Sequence, residues 1–385
     1  MGRWKMKVFA ALSGLCTLLV IFDGWTSVLP WLKPEQATDE EREITYVEDN
    51  EIPTTERQGL TANYTFQHHE KVTGVPKGNL CQPINKFIFV KTEKTGGSTL
   101  ASLLFRYGLK NNLVAALDPE GWFAIKYNES SESYAIVHYN CTDFPGYDFI
   151  ANHIIYNRVA MENIITNATY ITILRSPYTH IRSRFFFFQG YQPLRNSTTK
   201  SESFLAYLKS KKDKFDGHGT VSWDLNTLSH RFGILKSERK LLMDSIKKID
   251  QEFDLVMLTE YFDESLILLR KLMCWDFEDI LYYSQKVHKT ALPTVTIAMK
   301  SIIDKLSTVD IQLYNHFNTT FWKRVRNYDG DFEADLTKFR KLKSNVTKKC
   351  ELERNTDFCN LFIMDDYPVT KVTYERQLQW MCADT

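Results

Sequence analysis

The segment from Phe87 to Gly108, FIFVKTEKTGGSTLASLLFRYG, constrains the fold of this 385-residue chain more than any other. Four β-forming residues precede a polar loop with two glycines, and apolar residues then recur at the spacing of a helix. A strand, a glycine-bearing loop and a helix start form a site for an anion. The glycines let the backbone approach the anion, and the N–H groups of the first helical turn point at it. We predict a helix over 98–110 with Ser98 or Thr99 as its N-cap.

The position of the lysine in this loop argues against the common nucleotide-binding motif. In a Walker A loop, GxxxxGK[ST], the lysine follows the glycines, whereas here Lys94 precedes Gly96 and Gly97. The order K-T-G-G-S-T therefore favours a phosphate donor other than a nucleoside triphosphate. The formal net charge of +1 gives no global attraction to nucleic acid, so the positive charge that an anionic ligand needs must come from a local cluster.

From Cys81 onward, β-like runs alternate with helical patterns, which predicts an α/β fold with a mostly parallel central sheet flanked by helices. The predicted core strands are Lys86–Val90, Tyr147–Ala151, Tyr170–Leu174 and Phe253–Leu258, and the predicted helices are 98–110, 177–188, 201–212, 236–249, 262–274 and 331–348. Polar residues follow each of the four strands directly. Because ligands in open α/β sheets bind beyond the carboxyl ends of the strands, the strand ends predict one shared site.

Arg175, at the end of one predicted strand, is a candidate phosphate ligand. Its guanidinium can bind a phosphate group through two hydrogen bonds, and Ser183, eight residues later, is placed to reach the same group from a following helix. The alternative is an arginine in a structural ion pair and an ordinary helical serine. The residues alone leave both interpretations open.

His153 follows another predicted strand and is a candidate general base. The ordinary pKa of histidine, about 6.5, suits proton abstraction at neutral pH. A single histidine is more often structural, but its position beside the phosphate loop favours the catalytic role. His138, His180 and His288 are less well placed.

The N-terminus carries a topological signal. Residues 8–22 hold no charge and follow Arg3, Lys5 and Lys7, which places the N-terminus in the cytoplasm. A cleaved signal peptide is the alternative, but no clean cleavage site follows Phe22, so we favour an uncleaved signal-anchor transmembrane helix. The predicted organisation is a cytoplasmic tail at 1–7, an anchor at 8–22 with further apolar residues available to extend it toward 32, an acidic, proline-containing lumenal stem at 33–80, and a catalytic domain at 81–385.

Sequons and cysteines also indicate a lumenal body. The seven N-x-[ST] sequons all follow the apolar segment, at Asn63, Asn128, Asn140, Asn167, Asn196, Asn318 and Asn345. Six of the seven cysteines follow it too, an even number that suits an oxidising compartment. Sequence does not choose among their fifteen pairings, and Cys350 with Cys359 is the local pair that we favour.

These residues resemble a known family. Lys94 to Thr99 after a strand resembles the phosphosulfate loop of Golgi carbohydrate sulfotransferases, and Arg175 with Ser183 resembles their 3′-phosphate site. The segment 89–108, the stretch MLTEYFDESLILLRKLMCW at 257–275 and the order of the blocks are similar to the galactose 3-O-sulfotransferases, which include galactosylceramide sulfotransferase. The likeness runs from Lys86 to the C-terminal region.

The resemblance implies a single P-loop-like α/β domain that transfers a sulfuryl group from 3′-phosphoadenosine 5′-phosphosulfate (PAPS) to a galactose hydroxyl, the 3-OH, on a glycolipid or glycoprotein glycan. It implies no metal, and a single-pass type II protein of the Golgi membrane with a lumenal catalytic domain. Lys94 would stabilise charge on the bridging oxygen, and His153 would deprotonate the acceptor. The residues implied to bind the donor are Lys94, Thr95, Gly96, Gly97, Ser98, Thr99, Arg175 and Ser183, with Lys286, His288 and Lys289 closing over it.

The chain departs from the family pattern at two positions. Glu93 stands where the galactose enzymes commonly carry His in KTHKT, and Ser176 stands where Asp is usual in the LRDP-like turn. A carboxylate beside an anionic donor is unfavourable unless it points away or pairs with Lys91. The departures leave the exact acceptor open.

Three alternatives remain at this point. A glycosaminoglycan uronyl 2-O-sulfotransferase would use the basic stretches Lys209–Lys214 and Lys338–Lys349 toward a polyanion. A lumenal P-loop kinase would need a hydroxyl after a lysine-last loop, which this motif does not supply. A non-catalytic, membrane-anchored carbohydrate-binding glycoprotein would be marked by loss of Lys94 or Arg175, and both are present.

Overall fold

The computed structural model of this protein describes residues 7–9, 18–22, 25–29, 81–139, 144–188, 199–213, 225–234, 239–285, 291–354 and 356–381. Its strands are β1 Lys7–Phe9, β2 Leu18–Phe22, β3 Trp25–Leu29, β4 Phe87–Val90, β5 Tyr127–Asn128, β6 Ser133–Tyr134, β7 Phe149–Ile150, β8 Thr169–Leu174 and β9 Leu255–Leu258. Its helices are α1 Gly97–Lys110, α2 Arg158–Glu162, α3 Pro177–Phe188, α4 Lys200–Asp213, α5 Thr227–Arg231, α6 Arg239–Glu252, α7 Phe262–Met273, α8 Ile297–Leu306, α9 Thr308–Arg326, α10 Phe332–Leu352, α11 Asp357–Ile363 and α12 Asp366–Met381. The chain divides into two units, Met1–Asn63 and Tyr64–Thr385.

A four-stranded parallel sheet in the order β7-β4-β8-β9 is built from the four predicted apolar runs. β4 lies between β7 and β8, and all four of its residues are buried. A strand buried on both faces has no polar side to alternate, which explains its continuous apolar sequence. The prediction of an α/β fold with a parallel central sheet flanked by helices is confirmed.

Some helices of the structure were predicted from the sequence and others were not. The helices over 177–188 and 262–274 are observed with bounds that agree within one residue, and 331–348 is observed as α10, four residues longer at its end. The sequence did not predict α2, α5, α8, α9, α11 and α12. Polar residues interrupt the apolar pattern of α9 and α12, so tertiary packing rather than periodicity fixes these two segments as helices.

Two apolar clusters form the core of the second unit. The larger surrounds the sheet. The smaller joins α3, α4 and α8 through Ile181, Phe185, Phe204, Leu208, Met299 and Ile303. Disulfides join Cys81 to Cys274 and Cys350 to Cys359. The second pairing confirms the predicted local pair, whereas Cys141 and Cys382 lie outside the described residues.

The described N-terminal residues form strands instead of the predicted helix over 8–22. β1, β2 and β3 make an antiparallel sheet in which Phe22 pairs with Trp25. The run Leu18–Phe22 is rich in β-branched and aromatic residues, and a short apolar run of this kind suits a strand as well as a helix. Within the described part of the chain, no helix combines the length and the apolar composition that a membrane crossing requires. The predicted stem at 33–80 lies outside the described residues.

Candidate active site

The loop between β4 and α1 presents backbone N–H groups to an anion. Gly96 is the N-cap of α1 and adopts a left-handed conformation with φ of 79°. A Cβ on Gly97 would lie 3.0 Å from Cγ of Lys91, so a side chain at this position would crowd the loop. The prediction of Ser98 or Thr99 as N-cap is wrong, because the helix begins one residue earlier at Gly97. A glycine N-cap has no side chain to bond the first N–H groups, which leaves them directed at a ligand.

Lys94 stands at the centre of this loop, with a positive φ of 57°. Its ammonium nitrogen lies 3.6 Å from the ring centroid of Phe187, a half-exposed residue near the end of α3. Its backbone carbonyl accepts a hydrogen bond of 2.9 Å from Nη1 of Arg175. The ring of Phe187 and the guanidinium of Arg175 therefore hold Lys94, the residue predicted to bind the phosphosulfate, between β4 and α3.

Threonine hydroxyls fix the loop to the ends of β8 and β9. Thr95 is fully buried, and its hydroxyl donates to the carbonyl of Thr92 at 3.1 Å. The hydroxyl of Thr259, directly after β9, lies 2.6 Å from the carbonyl oxygen of Thr95 and 3.0 Å from that of Leu174. The carboxyl ends of the strands thus meet around the loop, as the sequence predicts. Thr259 was not among the predicted site residues.

Arg175 lies directly after β8, beside Lys94. Besides its bond to the loop, its Nε donates to the hydroxyl of Thr179 at 3.0 Å. Because a guanidinium has five N–H donors, these two bonds do not exhaust it. Burial lowers the pKa of Arg175, while the Glu260 carboxylate acts in the opposite direction. A bound anion would offset the cost of burying this cation. Ser183 is buried two turns into α3, and its contact with a donor phosphate stays a prediction.

His180 is a buried residue of α3 that contacts the loop, and it is one of the histidines that the sequence places less well. Its Nε2 lies 2.8 Å from the carbonyl oxygen of Glu93, so Nε2 carries the proton. Among the described residues, Nδ1 has no hydrogen-bond partner. Burial lowers the pKa of His180 well below its ordinary value, and Arg184, Arg175 and Lys94 lower it further. The ring is therefore neutral, and the three cations that surround it make this corner electropositive.

His153 extends the sheet beyond β7, where it pairs with Lys91 in a parallel bridge. Its Nδ1 lies 3.2 Å from the carbonyl oxygen of Lys91. Because a carbonyl oxygen only accepts, Nδ1 is the donor, and in the neutral form of the ring the lone pair lies on Nε2. The predicted base therefore lies beside the phosphate loop, and its catalytic role stays a prediction.

The two departures from the family pattern each have a new partner. Glu93 does not pair with Lys91; its carboxylate receives two hydrogen bonds from Arg231 of α5, the one from Nε measuring 3.0 Å. Burial lowers the pKa of Arg231 to about 10, so its guanidinium still carries its charge at neutral pH. At Ser176, the backbone N–H donates to Oε1 of Glu260 at 2.9 Å. The Glu260 carboxylate therefore lies at the start of α3.

Asp366, the first residue of α12, is a further site residue that the sequence did not predict. Its buried carboxylate forms an ion pair with the buried ammonium of Lys91 and accepts a 3.0 Å hydrogen bond from Ser98. The Ser98 hydroxyl, predicted to face the donor, is therefore directed at Asp366. No local motif marks this aspartate, because its partners lie 275 and 268 residues away in sequence.

Lys286, His288 and Lys289 lie outside the described residues. Gln285, immediately before them, is described: its backbone N–H donates to the hydroxyl of Thr99 at 3.0 Å. Its side-chain amide donates to the carbonyl oxygens of Ile363 and Met364 at 2.9 and 3.1 Å. Gln285 therefore lies beside the first turn of α1.

Over most of its length this chain is similar to known proteins of one family. The family model described as galactose-3-O-sulfotransferase matches residues 55–358. Galactosylceramide sulfotransferase of Bos taurus is 29% identical over 279 residues, covering 70% of this chain and 65% of the relative. Galactose-3-O-sulfotransferase 3 of Mus musculus is 32% identical over 276 residues, 68% of this chain and 62% of the relative. Galactosylceramide sulfotransferase of Homo sapiens is 31% identical over 256 residues, 64% of this chain and 59% of the relative. In each case the match spans less than two thirds of the relative.

Proposed function

We propose that this chain, which belongs to the galactose-3-O-sulfotransferase family, transfers a sulfuryl group from PAPS to the 3-hydroxyl of a galactose residue on a glycolipid or a glycoprotein glycan. The observation that carries this proposal is the 2.9 Å hydrogen bond from Arg175 to the carbonyl of Lys94. It joins the two predicted phosphate ligands at the ends of adjacent parallel strands. The alternatives, a uronyl 2-O-sulfotransferase and a non-catalytic carbohydrate-binding protein, are not favoured by the family match.

The residues present fit a donor with two anionic ends. Gly96 and Gly97 open the loop to the phosphosulfate, and the N–H groups at the start of α1 would bind its 5′-phosphate. Lys94 would bind the same end, and Arg175 would bind the 3′-phosphate. The cations that lower the pKa of His180 supply the positive potential that the whole chain, with a net charge of +1, lacks. The expectation that no metal is required stays a prediction.

When bound, the donor supplies a sulfuryl group whose S–O bond to the 5′-phosphate breaks as the acceptor oxygen forms a new S–O bond. His153 accepts the proton of the acceptor hydroxyl on Nε2, since Nδ1 donates to Lys91. Lys94 stabilises the negative charge that develops on the departing phosphate oxygen. The threonine bonds that fix the loop keep these groups in place before the reaction, so little reorganisation is needed.

A lumenal location in the Golgi, with attachment to the membrane through the N-terminal apolar segment, is the setting that we propose for this reaction. The two disulfides and the exposed sequons at Asn128, Asn167 and Asn345 support an oxidising compartment. Fractionation of cells that express the full chain would test it. We expect the protein in Golgi membranes after alkaline extraction, with glycans removable by an endoglycosidase, and recovery in the soluble cytosol would refute this location.

The reaction is tested with the purified full-length chain, labelled PAPS and a panel of galactose-terminated lipids and glycans. We expect label on the galactose 3-oxygen, no transfer by a folded Lys94→Ala variant, and donor binding without turnover by His153→Ala. A wild-type chain that binds donor but labels no galactoside would refute the acceptor. Failure to bind donor would refute the reaction class, and normal activity of Lys94→Ala would refute the mechanism.

A further inference from the structure

Two aromatic side chains, Phe123 and Tyr367, lie exposed at the edge of the candidate active site. Phe123 is 42% exposed and Tyr367 is 45% exposed, and their rings meet at 87° with centroids 6.2 Å apart. Trp122, next to Phe123, is 50% exposed. Exposed aromatic rings gathered at one place cost free energy in water, which is why such patches mark binding surfaces.

The same ring of Phe123 also contacts the predicted base. Its centroid lies 6.0 Å from that of His153, again at a steep angle of 75°. Phe123 therefore contacts two rings with different roles. His153 accepts the proton in the proposed reaction, whereas Tyr367 takes no part in that reaction. A molecule that rests on Phe123 and Tyr367 is adjacent to the base.

Backbone hydrogen bonds hold this surface rigidly against His153. The N–H of His153 donates to the carbonyl of Phe123 at 3.0 Å, and the carbonyl of His153 accepts from Ile125 at 2.8 Å. The side-chain amide of Asn152 donates to the carbonyl of Trp122 at 3.2 Å. The segment with the aromatic residues thus runs beside His153 as an added edge of the sheet, and the distance from ring to base is set by backbone geometry.

Tyr367 connects the surface to the donor loop. It follows Asp366, whose carboxylate binds Lys91 and Ser98. Lys91 is therefore linked to His153 in two ways. One is a chain of contacts through Asp366, Tyr367 and Phe123, and the other is the hydrogen bond from Nδ1 of His153 to the carbonyl of Lys91. The aromatic pair is therefore positioned by the donor loop on one side and by the base on the other.

We propose that Phe123 and Tyr367 form the acceptor subsite, on which the galactose ring stacks with its 3-hydroxyl toward His153; this rests on the galactose sulfation proposed above. The axial O4 of galactose leaves the C–H groups of C3, C4 and C5 on one face of the pyranose. This face carries partial positive charge and matches the negative face of an aromatic ring. The equatorial 3-hydroxyl lies at the rim of the stacked face, so stacking does not bury it. Glucose, with an equatorial O4, lacks this continuous C–H face.

The test compares Phe123→Ala and Tyr367→Ala with the wild-type full-length chain. We expect each to raise the KM for the galactoside acceptor about tenfold and to leave the affinity for adenosine 3′,5′-bisphosphate within about twofold of wild type. Tyr367→Phe keeps the ring and restores the wild-type KM. Trp380→Ala is the matched control, since Trp380 lies on the same helix and is 56% exposed; its KM stays unchanged.

Saturation-transfer NMR gives a readout that does not depend on activity. With methyl β-D-galactopyranoside as the probe, saturation of the aromatic protons of the wild-type chain reaches sugar protons H3, H4 and H5, and both alanine variants lose this transfer. With methyl β-D-glucopyranoside as the probe, we expect less saturation transfer from the wild-type chain to the sugar protons. Unchanged KM and unchanged transfer in the two alanine variants would overturn the subsite, as would an equal loss of bisphosphate affinity. Transfer to the galactoside in a wild-type chain that sulfates none would overturn the proposed function and leave the subsite standing.

Discussion

Lys91 and Asp366 form a buried ion pair between the donor loop and the last helix, although 275 residues separate them in sequence. Their side chains are 2% and 3% exposed. The same carboxylate accepts from Ser98, so one aspartate joins the residue after β4 to the first turn of α1. A buried charge is tolerated only when it is paired, so the loop keeps its shape only while α12 is docked.

The first prediction concerns this pair. Asp366→Ala leaves the Lys91 ammonium buried without its carboxylate, and we expect it to lower the free energy of unfolding by about 3–5 kcal/mol. Glu375→Ala on the same helix is the matched control: its pair with Lys371 spans 4.0 Å and is exposed, so its loss costs at most about 1 kcal/mol. Denaturant unfolding of the three proteins measures both values. Equal stability of the two variants would show that the pair does not hold α12 to the loop.

The second prediction concerns Glu93 and Arg231. Arg231→Ala leaves the Glu93 carboxylate uncompensated beside Lys94, and we expect the affinity for adenosine 3′,5′-bisphosphate to fall about tenfold because like charges repel. Glu93→Gln combined with Arg231→Ala removes the repelling charge and recovers most of the affinity. Lys271→Ala, which removes the same charge from the exposed pair with Asp329, is the control. Calorimetric titration with adenosine 3′,5′-bisphosphate measures these affinities. If the double variant binds the bisphosphate as weakly as Arg231→Ala does, then Arg231 itself binds the donor.

The loop itself could be predicted from the sequence, whereas the two ion pairs that hold it, Lys91–Asp366 and Arg231–Glu93, could not. The β4–α1 loop is recognisable because its strand, glycines and helix start are contiguous, and the carboxyl ends of parallel strands must meet at one edge of the sheet. Asp366 and Arg231 belong to ordinary-looking segments, and only the packing of α12 and α5 brings them to the loop. Long-range pairing of single charges leaves no local pattern.

The described parts of the N-terminal segment differ from the predicted helix for a different reason. Residues 8–22 hold no charge and are mostly apolar, and a run of this kind lacks the periodicity that separates a helix from a strand. The positive charges before it argued for an anchor helix, but β1 and β2 are strands. In the C-terminal part, α12 begins at an aspartate with a proline two residues later, a helix-start signal that was available and was missed.

The third prediction concerns pH and His180. Its pKa in the folded protein lies well below the ordinary value, so between about pH 6.5 and that lower pKa the unfolded chain binds a proton that the folded chain does not. The free energy of unfolding therefore falls as the pH drops below about 6.5. His180→Gln keeps a donor for the Glu93 carbonyl without a titrating group, and we expect it to reduce the loss between pH 7 and 5.5 by about 1 kcal/mol.

The control for this measurement is His138→Gln. His138 is exposed, so its replacement removes a histidine without changing a buried ring. We expect the pH dependence of its unfolding free energy to match that of the wild type. If His180→Gln loses stability with acid as steeply as the wild type does, then His180 is not the group whose protonation opposes folding.

The fourth prediction concerns glycosylation and rests on the lumenal location proposed above. Asn128, Asn167 and Asn345 are exposed, whereas Asn318 on α9 is half-buried and its Oδ1 is shielded from solvent. A glycan on the Asn318 amide would have to displace the residues packed around it, so the folded protein carries none there. Mobility before and after endoglycosidase measures this: Asn128→Gln, Asn167→Gln and Asn345→Gln each lose the mass of one glycan, and Asn318→Gln loses none. A shift of one glycan in Asn318→Gln would mean that α9 does not pack in this orientation in the glycosylated protein.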